Sequence, residues 1–130
     1  MPESEWRPVV LHEAECEEGW NDERNGRVQW RTLISSEITP TDSLTAGVAE
    51  LGPEDQLKAH RHAQPEMYHV LAGEGVVRIE GTDYPVESGS TVFVPGNAIH
   101  GIRNAGRDVL RFFYVFAADS FGEVAYVFQE

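Results

Sequence analysis

The sequence predicts an all-β domain, a sandwich or closed barrel, and three observations carry that prediction. Its apolar residues fall in short runs, Gly, Pro, Asn and Asp punctuate the runs, and no amphipathic pattern of 12 or more residues repeats at helical spacing. At 130 residues the chain holds one such domain and leaves no room for a second full one. Ten candidate strands follow: 28–34, 44–51, 57–62, 66–71, 76–80, 83–86, 91–94, 98–104, 109–117 and 124–128. Strands that are this short and this numerous close into a sandwich or barrel.

Taken in chain order, the acidic stretch 13–23 reads as at most a short helix or an extended arm. Residues 1–26 are therefore assigned to an N-terminal arm and 27–130 to the barrel domain. In 28–34, strand parity puts Val28, Trp30, Thr32 and Ile34 on one face and Gln29 and Arg31 on the other. In 57–62 the same rule places His60 and His62 side by side. In 66–71 it gives Glu66 and Tyr68 a common face and turns His69 away. Turns at 72–75, 80–83, 87–90, 95–97 and 104–108 are rich in Gly and Asn, which tolerate the positive φ of tight hairpins. On 109–117, Leu110, Phe112, Tyr114 and Phe116 share a face, as do Val124, Tyr126 and Phe128 on the last strand, and either set can wall the barrel.

Charge narrows the partners. Ten basic residues, nine of them Arg, face 22 acidic ones for a net charge of −12, which repels polyanions and argues against nucleic acid. Cys16 is the only cysteine, so a disulfide within the chain and a thiolate metal cluster are excluded. No basic and apolar leader and no apolar run near 18 residues is present; the expectation is a cytoplasmic protein that does not enter a membrane.

Four of the five histidines lie between His60 and His100. His60 and His62 preplace two nitrogen donors, and Pro65 bends the chain so that the Glu66 carboxylate can fold back toward them. His100, which follows the 95–97 turn, supplies a third nitrogen once the sheet curls. Three His and one Glu suit a divalent transition metal, Fe2+ foremost, with Mn2+, Ni2+, Co2+ and Zn2+ also accepted. His12 and His69 are ordinary surface residues in this reading.

These residues carry a resemblance. His60-x-His62-x3-Glu66-x6-Gly73 resembles the first motif of the cupin superfamily, and Gly89-x5-Pro95-x4-His100-x3-Asn104 the second. Two departures are modest: Gly52 lies two residues farther from His60 than is usual, and Asn97 stands at the usual glycine, where Asn still tolerates positive φ. The resemblance implies a double-stranded β-helix, or jelly-roll barrel, around one metal ion, and at family level a homodimer. A narrower likeness adds Val28-Gln29-Trp30-Arg31-Thr32-Leu33-Ile34, Tyr68 and Phe121-Gly122-Glu123-Val124-Ala125-Tyr126. With these the chain is similar to the small cupin-type dimethylsulfoniopropionate lyases. That likeness implies Tyr68 as the base that removes the substrate α-proton, with Tyr126 as second catalytic candidate. Trp30 and Tyr126 are then pocket residues, and Phe112 and Tyr114 further walls. Aromatic faces suit a dimethylsulfonium cation. Two rival readings use the same metal site: an Fe(II) dioxygenase, and a binding or isomerase protein for a sugar or small organic acid.

Overall fold

The computed structural model describes residues 6–21 and 23–129. Their strands are β1 (Glu18–Trp20), β2 (Gln29–Ile34), β3 (Thr45–Leu51), β4 (Gln56–Arg61), β5 (Glu66–Ala72), β6 (Glu74–Ile79), β7 (Thr82–Glu87), β8 (Thr91–Val94), β9 (His100–Asn104), β10 (Leu110–Phe116) and β11 (Val127–Phe128). They form two antiparallel sheets in the orders β1-β2-β3-β10-β5-β8 and β11-β4-β9-β6-β7. Late strands are inserted between early ones, β10 between β3 and β5 and β9 between β4 and β6, which is the winding of a jelly roll.

Alternation along each strand decides what is inside. On β10, Leu110, Phe112, Tyr114 and Phe116 are buried while Arg111, Phe113 and Val115 are only half-covered. On β5, Glu66, Tyr68 and Val70 are buried and His69 turns out to bond Thr91 Oγ1 at 2.8 Å, as parity requires. Leu51, Leu57, Val77, Val94 and Ile102 complete the core between the sheets. Asn97 adopts φ 64°, so it serves as the left-handed turn residue expected of it. Gly73 sits at φ 88°, where a Cβ would lie 2.5 Å from the Val109 carbonyl oxygen.

Both ends of the chain differ from the sequence reading. The acidic stretch forms a single 3-10 turn at Glu13–Glu15, capped by His12, and then strand β1, with Glu18 opposite Arg31 and Trp20 opposite Gln29 on β2. An acidic, glycine-interrupted segment has little intrinsic strand propensity. It is held by arginines: Arg31 donates from Nη1 to the Cys16 carbonyl at 2.9 Å and from Nη2 to Glu18 at 2.6 Å, and Arg111 bridges Glu13 and Glu50. Near the C-terminus the strand expected over 124–128 shortens to Val127–Phe128, because Phe121–Glu123 forms a 3-10 turn capped by Ser120. No helix among the described residues is long and apolar enough to cross a membrane.

Candidate metal centre and its aromatic wall

Three histidines and one glutamate converge between the sheets. His60 lies near the end of β4 and His62 just beyond it, His100 opens β9 opposite His60, and Glu66 opens β5 on the other sheet. Pro65 disfavours the helical region for the residue before it, and the chain bends at 63–64 between His62 and Glu66. The two sequence motifs are tied together here, since Asn97 N–H donates to the His62 carbonyl at 2.7 Å. All four side chains are buried, with 0–4% of each residue exposed.

Each imidazole is oriented by its own backbone. His60 Nδ1 is 2.7 Å from the Lys58 carbonyl, His62 Nδ1 2.8 Å from that of Gln64, and His100 Nδ1 2.9 Å from that of Ala98. A carbonyl only accepts, so Nδ1 carries the proton in every case and Nε2 presents a lone pair. The Nε2 atoms of His62 and His100 lie 3.2 and 3.3 Å from Glu66 Oε1, another acceptor, and His60 Nε2 is buried without a partner. The histidine donor atoms lie within 4.8 Å of one another. Lone pairs facing one another in a dry site repel unless a cation lies among them, so the donor set fits a divalent metal. Burial, reinforced by the neighbouring His100, pushes the His60 pKa down to about 3, which keeps its imidazole in the neutral, ligating form.

Aromatic rings line one side of this cluster. Tyr126 stacks on His60 at 4.7 Å and 14° and lies 5.2 Å from His62. Phe128 is 5.2 Å from His60 and Phe116 5.1 Å from His62. Phe121 joins the wall's two ends, 6.1 Å from Tyr126 and 6.1 Å from Trp30, so Trp30 and Tyr126 flank it. Tyr114 meets Trp30 edge-on at 5.3 Å. Tyr68 is fully buried beside Glu66 and 6.3 Å from His100, with Phe112 5.0 Å from it. Burial first, then the Glu66 charge, holds the Tyr68 and Tyr126 phenols well above the usual tyrosine range.

Phe116 and Phe128 stand in the sequence reading only on faces that can wall the barrel, and Phe121 only within the lyase-like motif; none was assigned to the site. Parity held the signal for two of them, since Phe116 follows Tyr114 by two residues and Phe128 follows Tyr126 by two. For Phe121 parity gave none, because it reaches the wall from a 3-10 turn; its only signal was its place in the lyase-like motif.

Residues 47–116, which contain all four candidate ligands, match the Cupin domain family. The chain belongs to the cupins. This cupin is 44% identical over 111 residues to dimethylsulfoniopropionate lyase DddW of Ruegeria pomeroyi, a match spanning 85% of this chain and 72% of that protein. It is 31% identical over 91 residues to an oxalate-binding protein of Thermotoga maritima, covering 69% of this chain and 75% of that one. Among solved structures, a predicted oxalate decarboxylase from Thermotoga maritima superposes with a TM-score of 0.76 at 27% identity, over 85% of this cupin and 99% of that chain. The jelly-roll reading and the lyase-like resemblance of the sequence therefore hold, and the three buried histidines can hold a metal.

Proposed function

We propose that this cupin is a metal-dependent lyase that cleaves dimethylsulfoniopropionate to dimethyl sulfide and acrylate. The observation that carries the reading is the 44% identity to a dimethylsulfoniopropionate lyase across 85% of the chain. The geometry supports it, because a buried His60, His62, His100 and Glu66 cluster stands beside a tyrosine and an aromatic wall. When bound by those four residues, a divalent ion, Fe2+ foremost, neutralises the substrate carboxylate, acidifies the adjacent C–H and lowers the pKa of a nearby phenol.

The chain's own residues do the rest. Tyr68, beside Glu66 and packed against Phe112, is the proposed base: its phenolate oxygen takes the proton α to the carboxylate. The C–H electrons form the C=C bond, the C–S bond breaks, and dimethyl sulfide departs with the bonding pair. The proton on the Tyr68 oxygen then returns to water. Tyr126, Trp30 and Tyr114 present faces and edges to the sulfonium, and Phe116 and Phe121 keep water out of that side of the site. Tyr126, stacked on His60, is the alternative base. The working unit is proposed to be a homodimer, in which a partner covers the exposed sheet edges.

Anaerobically reconstituted protein should release dimethyl sulfide into the headspace and acrylate into solution in equal amounts. Metal-loaded protein that yields neither overturns the reading. A second reading, binding of a small dicarboxylate, is favoured by the 31% identity to the oxalate-binding protein. Tight oxalate binding by calorimetry without turnover of the sulfonium compound would establish it instead.

A further inference from the structure

A cavity of about 600 Å3 lies between the N-terminal segment and β2. Its lining includes Glu15, Glu17 and Glu18 and the aromatic residues Trp20, Trp30 and Phe121; among the described residues no Lys, Arg or His lines it. Trp30 and Phe121 belong equally to the wall of the metal centre. From the cavity, Phe121 touches Tyr126, and Tyr126 stacks on His60, so two ring contacts separate the cavity from a candidate ligand. Trp20 already accepts a cation from the chain itself, with the Arg27 guanidinium 5.1 Å from its ring centroid.

We propose that this cavity is a second, cation-selecting site, an antechamber that takes small onium cations before they reach the metal centre. The aromatic faces give a cation a surface that water-like neutral molecules do not prefer, and the carboxylates set the sign of the field over it. Glu18 is neutralised by Arg31, so Glu15 and Glu17 are the residues that determine selectivity. The segment from Leu11 to Trp20 thereby gains a role: its acidic composition, which weakens it as a strand, is what makes the cavity wall negative. The biological purpose of the site rests on the lyase reading; its binding of cations does not.

The test uses the full chain loaded with diamagnetic Zn2+ and followed by the indole N–H resonances of its three tryptophans. Trimethylsulfonium chloride is the probe, because it has no carboxylate for the metal; tert-butanol is its neutral counterpart, and sodium chloride holds ionic strength constant. The expected result is a saturable shift of Trp20 and Trp30 with trimethylsulfonium only. Trp6, which does not line the cavity, stays in place. In Glu15→Gln/Glu17→Gln the dissociation constant should rise at least threefold, and Gln at position 15 can still accept the His12 N–H bond that caps the turn. If that double variant melts early, Glu17→Gln alone gives the same reading at smaller amplitude. No saturable shift, an equal response to tert-butanol, or unchanged affinity in both variants overturns the proposal. Cation binding without dimethyl sulfide release from the natural substrate would instead sink the lyase reading and leave this site standing.

Discussion

A carbonyl oxygen can only accept a hydrogen bond, and that fact sets the protonation of three histidines at once. With Nδ1–H spent on Lys58, Gln64 and Ala98, the Nε2 lone pairs of His60, His62 and His100 have nowhere to go but toward each other and toward Glu66. One consequence is a pH dependence of the metal-free protein. His60 has a folded pKa of about 3 against an ordinary 6.5, so between those values the unfolded chain binds a proton that the folded chain refuses. Stability should therefore fall as pH falls from about 6.5 toward 3, by about 1.4 kcal/mol per unit, and be insensitive to His60 above that window. Denaturant titrations of chelator-treated protein at pH 7 and pH 5 should differ by about 2 kcal/mol, and the difference should vanish in His60→Gln. A second consequence concerns Tyr68, whose hydroxyl faces Glu66 in full burial. Tyr68→Phe deletes only that oxygen, so elemental analysis should find the metal retained while kcat drops by roughly 100-fold to 10,000-fold. Undiminished turnover would pass the role of base to Tyr126.

Strands transmit these positions, and β3 and β10 pack so closely that one residue between them has no room for a side chain. Gly47 on β3 lies opposite Tyr114 on β10; a Cβ there would collide with the Tyr114 hydroxyl and come within 2.6 Å of the Arg31 carbonyl oxygen. Gly47→Ala should cost about 1–3 kcal/mol through overpacking. Gly47→Ala/Tyr114→Phe should recover about 0.5 kcal/mol of that, because the second change removes the nearest of the three atoms in the way and leaves Tyr114 Cζ and the Arg31 carbonyl oxygen, each 2.6 Å from the added Cβ. Melting curves of the four-member cycle measure the coupling, and strict additivity would mean that the Arg31 carbonyl oxygen and the Tyr114 ring, not its hydroxyl, set the clash. Parity made such relations legible before any coordinates: Tyr68 inside, His69 outside and the buried row on β10 follow from a period of two. What parity cannot reach is structure fixed by side chains from elsewhere in the chain. β1 exists because Arg31 and Arg111 grip an acidic segment of poor strand propensity, and Phe121 enters the aromatic wall from a turn whose geometry depends on Ser120 and Glu123.

At the scale of the molecule, the candidate metal centre spans the two sheets. His60 and His100 belong to the β11-β4-β9-β6-β7 sheet and His62 directly follows β4, whereas Glu66 belongs to the β1-β2-β3-β10-β5-β8 sheet. An ion held by all four residues is a staple across the core, and removing it leaves buried acceptors facing one another. Metal binding should therefore register as global stability and not only as activity. At a free metal concentration 100 times the dissociation constant, linkage gives about 2.7 kcal/mol, which for a domain of this size corresponds to a rise in Tm of roughly 10 °C. Differential scanning calorimetry of chelated and reloaded protein measures it. His100→Ala should abolish the metal-dependent rise by removing a donor from the first sheet. Glu66→Gln keeps the volume but removes the only charge linking the second, and should shrink the rise without erasing it. A chelated protein that melts at the same temperature as the loaded one would mean that the four side chains do not share an ion, whatever their proximity.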